Sequence, residues 1–179
     1  MHLDVDNGYD AFSLDNTRTT NSDEQGKDIQ KTDAFSLKST YQVNPKMHLV
    51  SKVSYSNSDL EYSYDEDWSY VGQFDEELAI INAGLTQDDE DYVWPYSYFD
   101  QYLRDREQSD VDVRLVSDEE GRIFNNSTDW TMGAYLKNYT EDLTRNRRKE
   151  DQYVLFTNEY KTKNRAIYGQ LDSTLTPKL

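Results

Sequence analysis

Residues 32–43 read TDAFSLKSTYQV, residues 44–46 NPK and residues 47–55 MHLVSKVSY. In the first run Phe35, Leu37, Tyr41 and Val43 fall on alternate positions, with Ser36, Lys38, Thr40 and Gln42 between them. In the second, Leu49, Val53 and Tyr55 alternate with His48, Lys52 and Ser54. Successive side chains of a strand point to opposite faces, so each run has one apolar and one polar face. Asn44-Pro45-Lys46 reads as a tight turn, because proline presets φ and cannot donate a ladder hydrogen bond. The three pieces together are a long β-hairpin. Its apolar face must meet either a protein core or lipid.

Composition bears on that choice. The chain has 179 residues, a net charge of −16 and a mean hydropathy of −1.00. Only 35% of its residues are hydrophobic, yet 15 are Tyr, 6 Phe and 3 Trp. Such a chain is poor in the aliphatics that fill a core and rich in residues that favour strands and settle at membrane interfaces. The aromatic content and repeated alternation argue against full disorder. With no cysteine there is no disulfide framework and no thiolate metal site. No apolar run is long enough for a transmembrane helix, and MHLDVDNGYD has neither the basic nor the apolar region of a signal peptide.

Working outward, residues 8–14 (GYDAFSL) read as the end of a strand, and DAFSL recurs at 33–37. Residues 16–31 are polar and aperiodic, a solvated loop. The strand that begins at Met47 is expected to run through Leu60 and Tyr62 toward Trp68, beyond the thickness of a membrane. Residues 58–105 are the longest interruption, with fourteen Asp and Glu against the single Arg104. Within it Phe74, Leu78, Ile81 and Leu85 recur at helical spacing, which predicts a short helix over 74–84 with Asp75 as its cap and Gly84 near its end. Strands are expected again at 108–117, 128–140 and 163–174, with a modest connection at 118–127 and a polar loop around 145–151. Thr176-Pro177-Lys178 reads as a second tight turn. In an up-and-down meander alternate connections share an end, so one end is short and the other elaborate. Outer-membrane barrels have that asymmetry.

Three segments carry a more specific signal: DAFSLDNTRTT (10–20), YSYDEDWSYVG (62–72), and STDWTMGAYLKNYTEDLTR (127–145) followed by RAIYGQLDSTLTPKL (165–179). Their order and spacing resemble TonB-dependent outer-membrane receptors. Asp129-Trp130, Gly133 and Tyr135 match a strand that leads into an extracellular loop. Ala166, Tyr168, Gly169 and Gln170 match the returning strand before a periplasmic turn. The resemblance covers most of 8–68 and 104–179, with an acidic, aromatic-rich insert at 70–103. It implies localisation in the cell outer membrane and uptake of a scarce nutrient such as a siderophore, glycan or cobalamin. The implied partners are outer-membrane lipid, lipopolysaccharide, the small-molecule nutrient and the TonB system acting through a plug domain. Neither that plug nor a TonB box is among these residues. The expectation is therefore an all-β, antiparallel meander of about six long strands: an incomplete segment, occupying 1–179, of a transmembrane barrel of roughly 22 strands. Phe35, Leu37, Leu49, Val53, Val111, Val113, Trp130 and Ile167 would face lipid, and Lys38, Lys52, Asp112 and Arg114 the lumen.

Among candidate sites, the aromatics Tyr92, Trp94, Tyr96, Tyr98 and Phe99 are the ligand-contact candidates, since exposed rings supply binding area. Asp88, Asp89, Glu90 and Asp91 read as a solvated loop. Asp4, Asp6, Gly8 and Asp10 lack the glutamate and glycine placement of a calcium loop, so no metal site is expected. Arg145, Arg147, Arg148 and Lys149 form a basic cluster that, at a loop tip, would meet lipopolysaccharide phosphates. His2 and His48 are isolated, and no nucleophile elbow or triad order is present, so neither an enzyme nor a cofactor is expected. The strong negative charge disfavours nucleic acid. The alternatives are a soluble acidic all-β ligand- or glycan-binding protein, and an adhesion module that makes contact through the insert.

Overall fold

The computed structural model describes residues 1–8, 20–93, 97–149 and 152–174. Six strands form one antiparallel meander in chain order: β1 (His2–Asp6), β2 (Lys27–Asn44), β3 (Met47–Asp65), β4 (Tyr98–Ser117), β5 (Thr128–Lys149) and β6 (Gln152–Ser173). The sheet is open, with β1 and β6 at its lateral edges. One helix, α1 (Asp75–Ile81), lies between β3 and β4, inside the 74–84 expected from the spacing. Asp75 does not cap it: Phe74 occupies the cap position without a side-chain hydrogen bond. Asn82 instead ties the insert together, its side chain donating to Val93 O at 2.7 Å and accepting from Val93 N at 2.8 Å.

Register fixes the two faces. Directly paired residues share a face, so Leu37, Val53, Val111 and Leu136 form one row across four strands. The rows beside it hold Phe35 and Tyr55 on one side and Val113, Ala134 and Ile167 on the other. All eight residues expected on the apolar face do share one face. Lys38, Lys52 and Asp112 form a row of the opposite face, and Arg114 lies in the next row.

The strands run much further than hydropathy suggests. β2 begins at Lys27, inside the expected loop. β3 continues to Asp65 as anticipated, and β4 starts at Tyr98 rather than Gln108, so the long connection shrinks to 66–97. β5 carries Arg145–Lys149 as strand, and β6 begins at Gln152 rather than Lys163, so most of the expected loop at 145–151 belongs to strand. The reason is physical. The outer stretches of β2 to β5 are held by cross-strand charge pairs rather than marked by apolar alternation, and β6 opens with the unalternating run Tyr153–Phe156. The strand end expected at 8–14 and the turn at 176–178 lie outside the described residues, apart from Gly8, which follows β1.

The described residues form no conventional core. Val50, 7% exposed, is the one buried hydrophobic side chain among the described residues.

Candidate functional site

The sheet presents three surfaces, each set by a different part of the strands. The first is the apolar face near the β2–β3 turn. Its side chains are solvent-exposed: Phe35 is 61%, Met132 59% and Ile167 81% accessible. From Phe35 to Val43 the strand advances eight residues, about 26 Å at ~3.3 Å per residue. Aromatics stand at its limits, with Phe35 paired to Tyr55 on one border and Tyr41 and Trp130 toward the other. Farther out on the same face the rows turn charged, beginning with Asp33, Asn57, Glu107 and Lys161.

The second surface is the opposite face. At the level of the apolar rows it lines a cavity of about 760 Å³ between Lys38, Lys52, Asp110, Asp112, Tyr135 and Lys137. Tyrosine hydroxyls here are aimed at carboxylates: Tyr135 donates to Asp110 at 2.7 Å and Tyr168 to Asp112 at 2.8 Å. Gly133 makes the second contact possible, since a Cβ there would sit 2.5 Å from the Tyr168 ring. Gly133 pairs with Tyr168 and Tyr135 with Ala166. The motif residues of β5 and β6 therefore meet across one strand pair. Lys38 and Lys52, paired across β2 and β3, have no carboxylate partner among the described residues.

The pattern continues outward on this face. Tyr139 donates to Glu141 at 2.5 Å, and Arg106 Nε donates to the same carboxylate at 2.9 Å. The Tyr139 hydroxyl, with Arg106 behind it, holds the Glu141 carboxyl below the usual range. Further out, Arg145 forms a two-point pair with Asp100, at 2.9 and 2.5 Å, and Tyr102 donates to Asp100 at 3.1 Å. Arg145 also covers the Tyr102 ring at 5.0 Å. Asp100 is fully buried, and its hydrogen bonds hold the Arg145 guanidinium protonated still more firmly than usual.

The third surface is the outer rim. Arg147 pairs twice with Glu66, at 2.8 and 2.5 Å, and Arg148 pairs with Glu24. The basic run is thus not a free loop tip. Three of its four members are neutralised by carboxylates, and the fourth, Lys149, lies 5.6 Å over the Tyr98 ring. Beside them Asp65 is fully buried. Its Oδ1 accepts from the backbone of Asp67 and Trp68, while Oδ2 has no partner among the described residues. Burial, reinforced by Asp67, pushes this carboxyl up.

At the other end the short connections are clamped. Gln42 donates to Asp118 at 2.5 Å, and His48 Nδ1 lies 2.8 Å from the second oxygen of that carboxylate. The Gln42 and His48 hydrogen bonds hold Asp118 below the usual range. Gly121 passes so close to Lys46 O that a Cβ would lie 1.8 Å from it.

Tyr98 and Phe99 open β4 as neighbours and point to opposite faces. Tyr98 lies under Arg147 and Phe99 under Arg148. Tyr92 is half-exposed in the insert, and Trp94 and Tyr96 lie outside the described residues. In the acidic run, Asp89 accepts from the Thr86 amide and hydroxyl to close a turn. Of Asp4, Asp6 and Gly8, the first two belong to β1, and Asp6 accepts the Gly8 amide. The Tyr–carboxylate–Arg series was missed in the sequence. Its only trace is tyrosines and acids sharing one parity along β4 and β5.

The chain matches no family model, no curated protein and no solved structure.

Proposed function

We propose that this chain is a section of a TonB-dependent receptor barrel in the outer membrane, contributing wall and external surface to the uptake of a scarce nutrient. The observation that carries this reading is a contiguous, exposed apolar face backed by a polar face that lines a cavity. Its length along the strand, about 26 Å, compares with the apolar band of roughly 25 Å in outer-membrane barrels, with some shortening from strand tilt. Aromatics at its borders fit the interfacial girdles of such barrels. Beyond the band charged residues enter both faces of β2 to β5, as expected of strands that leave the membrane, while β6 keeps an exposed apolar run, Tyr153–Phe156, at the rim.

The segments at 127–145 and 165–179 add support, because Gly133, Tyr135, Ala166 and Tyr168 pair with one another. The lateral edges β1 and β6 support closure by further strands, since an open edge is untenable in lipid. A soluble binding protein is disfavoured by the single buried hydrophobic residue, because a water-soluble sheet needs a second layer on its apolar face.

The test is expression of the chain in buffer, followed by far-UV circular dichroism and a urea melt. The receptor reading expects aggregation in buffer and recovery of β structure in detergent. A soluble monomer with a single cooperative transition contradicts it.

A further inference from the structure

On the polar face, tyrosines recur from the apolar-band level to the rim, each tied to a carboxylate. The order is Tyr168–Asp112, Tyr135–Asp110, Tyr139–Glu141 and Tyr102–Asp100. From the Arg114 row to the Asp100 row, β4 advances fourteen residues, about 46 Å at ~3.3 Å per residue. At the outer end Tyr62 and Tyr64 continue the series, with Tyr62 6.5 Å from Tyr102 and 5.6 Å from Tyr64, and Trp68 follows 5.9 Å beyond. We propose that this face is a track for a neutral, hydroxyl-rich ligand of the oligosaccharide class. The inference rests on the receptor reading for which end of the track meets the medium.

Charge balance selects the ligand class. In the outer half of this face Arg104, Arg106, Arg145 and Arg147 all pair with carboxylates: the first two with Glu141, the others with Asp100 and Glu66. Lys149, at the outermost row, is the exception among the described residues. In this outer half a ligand dense in negative charge would therefore find its counter-charges already occupied, in a chain whose own charge is −16. Lys38 and Lys52, without a carboxylate partner among the described residues, lie at the inner end. A neutral sugar needs something else. Its ring presents an apolar face that a tyrosine ring covers, and its hydroxyls both donate and accept. A carboxylate has about four acceptor positions and a guanidinium five donors, so each pair retains capacity after its internal bonds are made. The tyrosines are half-exposed and their hydroxyls anchored, which holds the rings as fixed platforms at little further entropic cost.

Saturation-transfer NMR on the full chain in detergent, with malto-, cello-, xylo- and manno-hexaose as neutral probes and a ferric tris-catecholate as the anionic probe, tests this. At least one neutral hexaose should receive saturation. Tyr102→Ala and Tyr62→Ala should each weaken its binding about three- to tenfold, whereas Tyr102→Phe, which keeps the ring, should recover most of it. Tyr41→Ala, on the opposite face, should leave it unchanged. Heat-unfolding profiles matching the parent would separate lost contact from lost fold. Binding of the catecholate alone, of no neutral probe, or equal loss with Tyr41→Ala overturns the ligand class. These outcomes are independent of insertion: a soluble chain that binds a hexaose defeats the receptor reading and spares the track.

Discussion

The two halves of each long strand obey different rules. Near the β2–β3 turn, Leu37, Val53, Val111 and Leu136 make an apolar row, and Lys38, Lys52 and Asp112 the row behind it. Toward the rim, the same strands carry Asp59, Asp105 and Asp142 on one face and Arg106 and Glu141 on the other. The inner half has an asymmetric environment written into its alternation. The outer half is held by bidentate charge pairs and rings stacked under guanidinium groups. A strand therefore need not alternate in hydropathy to be a strand. It needs partners in register, and here charges and tyrosines supply them.

The largest expected effect breaks the inner half on one face only. Val113→Arg places a charge in the apolar band and should destabilise the detergent- or bilayer-folded state by about 2–4 kcal/mol. Ser36→Arg, on the polar face at the same level, should change stability by less than about 0.5 kcal/mol. Urea titrations of both variants, carried in the complete barrel that the proposed reading implies, compare the faces directly, and equal losses would remove the distinction.

In the outer half, Arg145→Ala leaves the buried Asp100 carboxylate without its cation. Arg145 is itself about a third exposed, so the cost should be about 2–3 kcal/mol rather than that of a fully buried pair. Hydrogen exchange should localise the loosening to residues 98–102 and 143–149. Protection lost instead around the β2–β3 turn would mean that the halves are not separable.

Gly133→Ala probes the junction of the motif residues. The added Cβ must displace the Tyr168 ring and break its bond to Asp112, costing about 1–2 kcal/mol. Tyr168→Phe in the same background should add little, because the hydroxyl contact is already gone. Additive losses in the double mutant would show that the two residues act separately.

Asp65 gives the smallest effect and a signed one. Its carboxyl is raised in the fold, so ionisation works against folding. The penalty appears as pH rises above the ordinary 3.8 and is complete above the folded-state value. Asp65→Asn should therefore stabilise the rim at neutral pH and lose that advantage in acid. Stabilisation independent of pH would contradict the assignment.

How much was legible in the sequence follows from the same contrast. The facing of Phe35, Leu37, Leu49, Val53, Val111, Val113, Trp130 and Ile167 was readable, because alternation prevails there despite Ser39 and Ser51 on the apolar face and Val50 on the polar one. The helix near 75–81 was readable from Phe74, Leu78 and Ile81, although its cap was not, since capping depends on backbone geometry that an acidic residue does not guarantee. The rim was misread. Arg145–Lys149 looks like a loop because its partners Asp100, Glu66 and Glu24 lie 45 to 124 residues away, beyond any local window. Of the aromatic candidates, Tyr98 and Phe99 are adjacent in β4 and so face opposite ways, which the crowding of rings in the sequence does not reveal.

On the proposed reading, one face of this sheet meets lipid and the other does not. The chain contains no cysteine, so single cysteines can be introduced and labelled with an environment-sensitive fluorophore. In the complete barrel that the proposed reading implies, labels at Leu37, Val53 and Ile167 should be quenched by brominated lipid in reconstituted liposomes, and labels at Lys38, Lys52 and Ala166 should not. Equal quenching at both sets of positions, or none at either, would contradict the account.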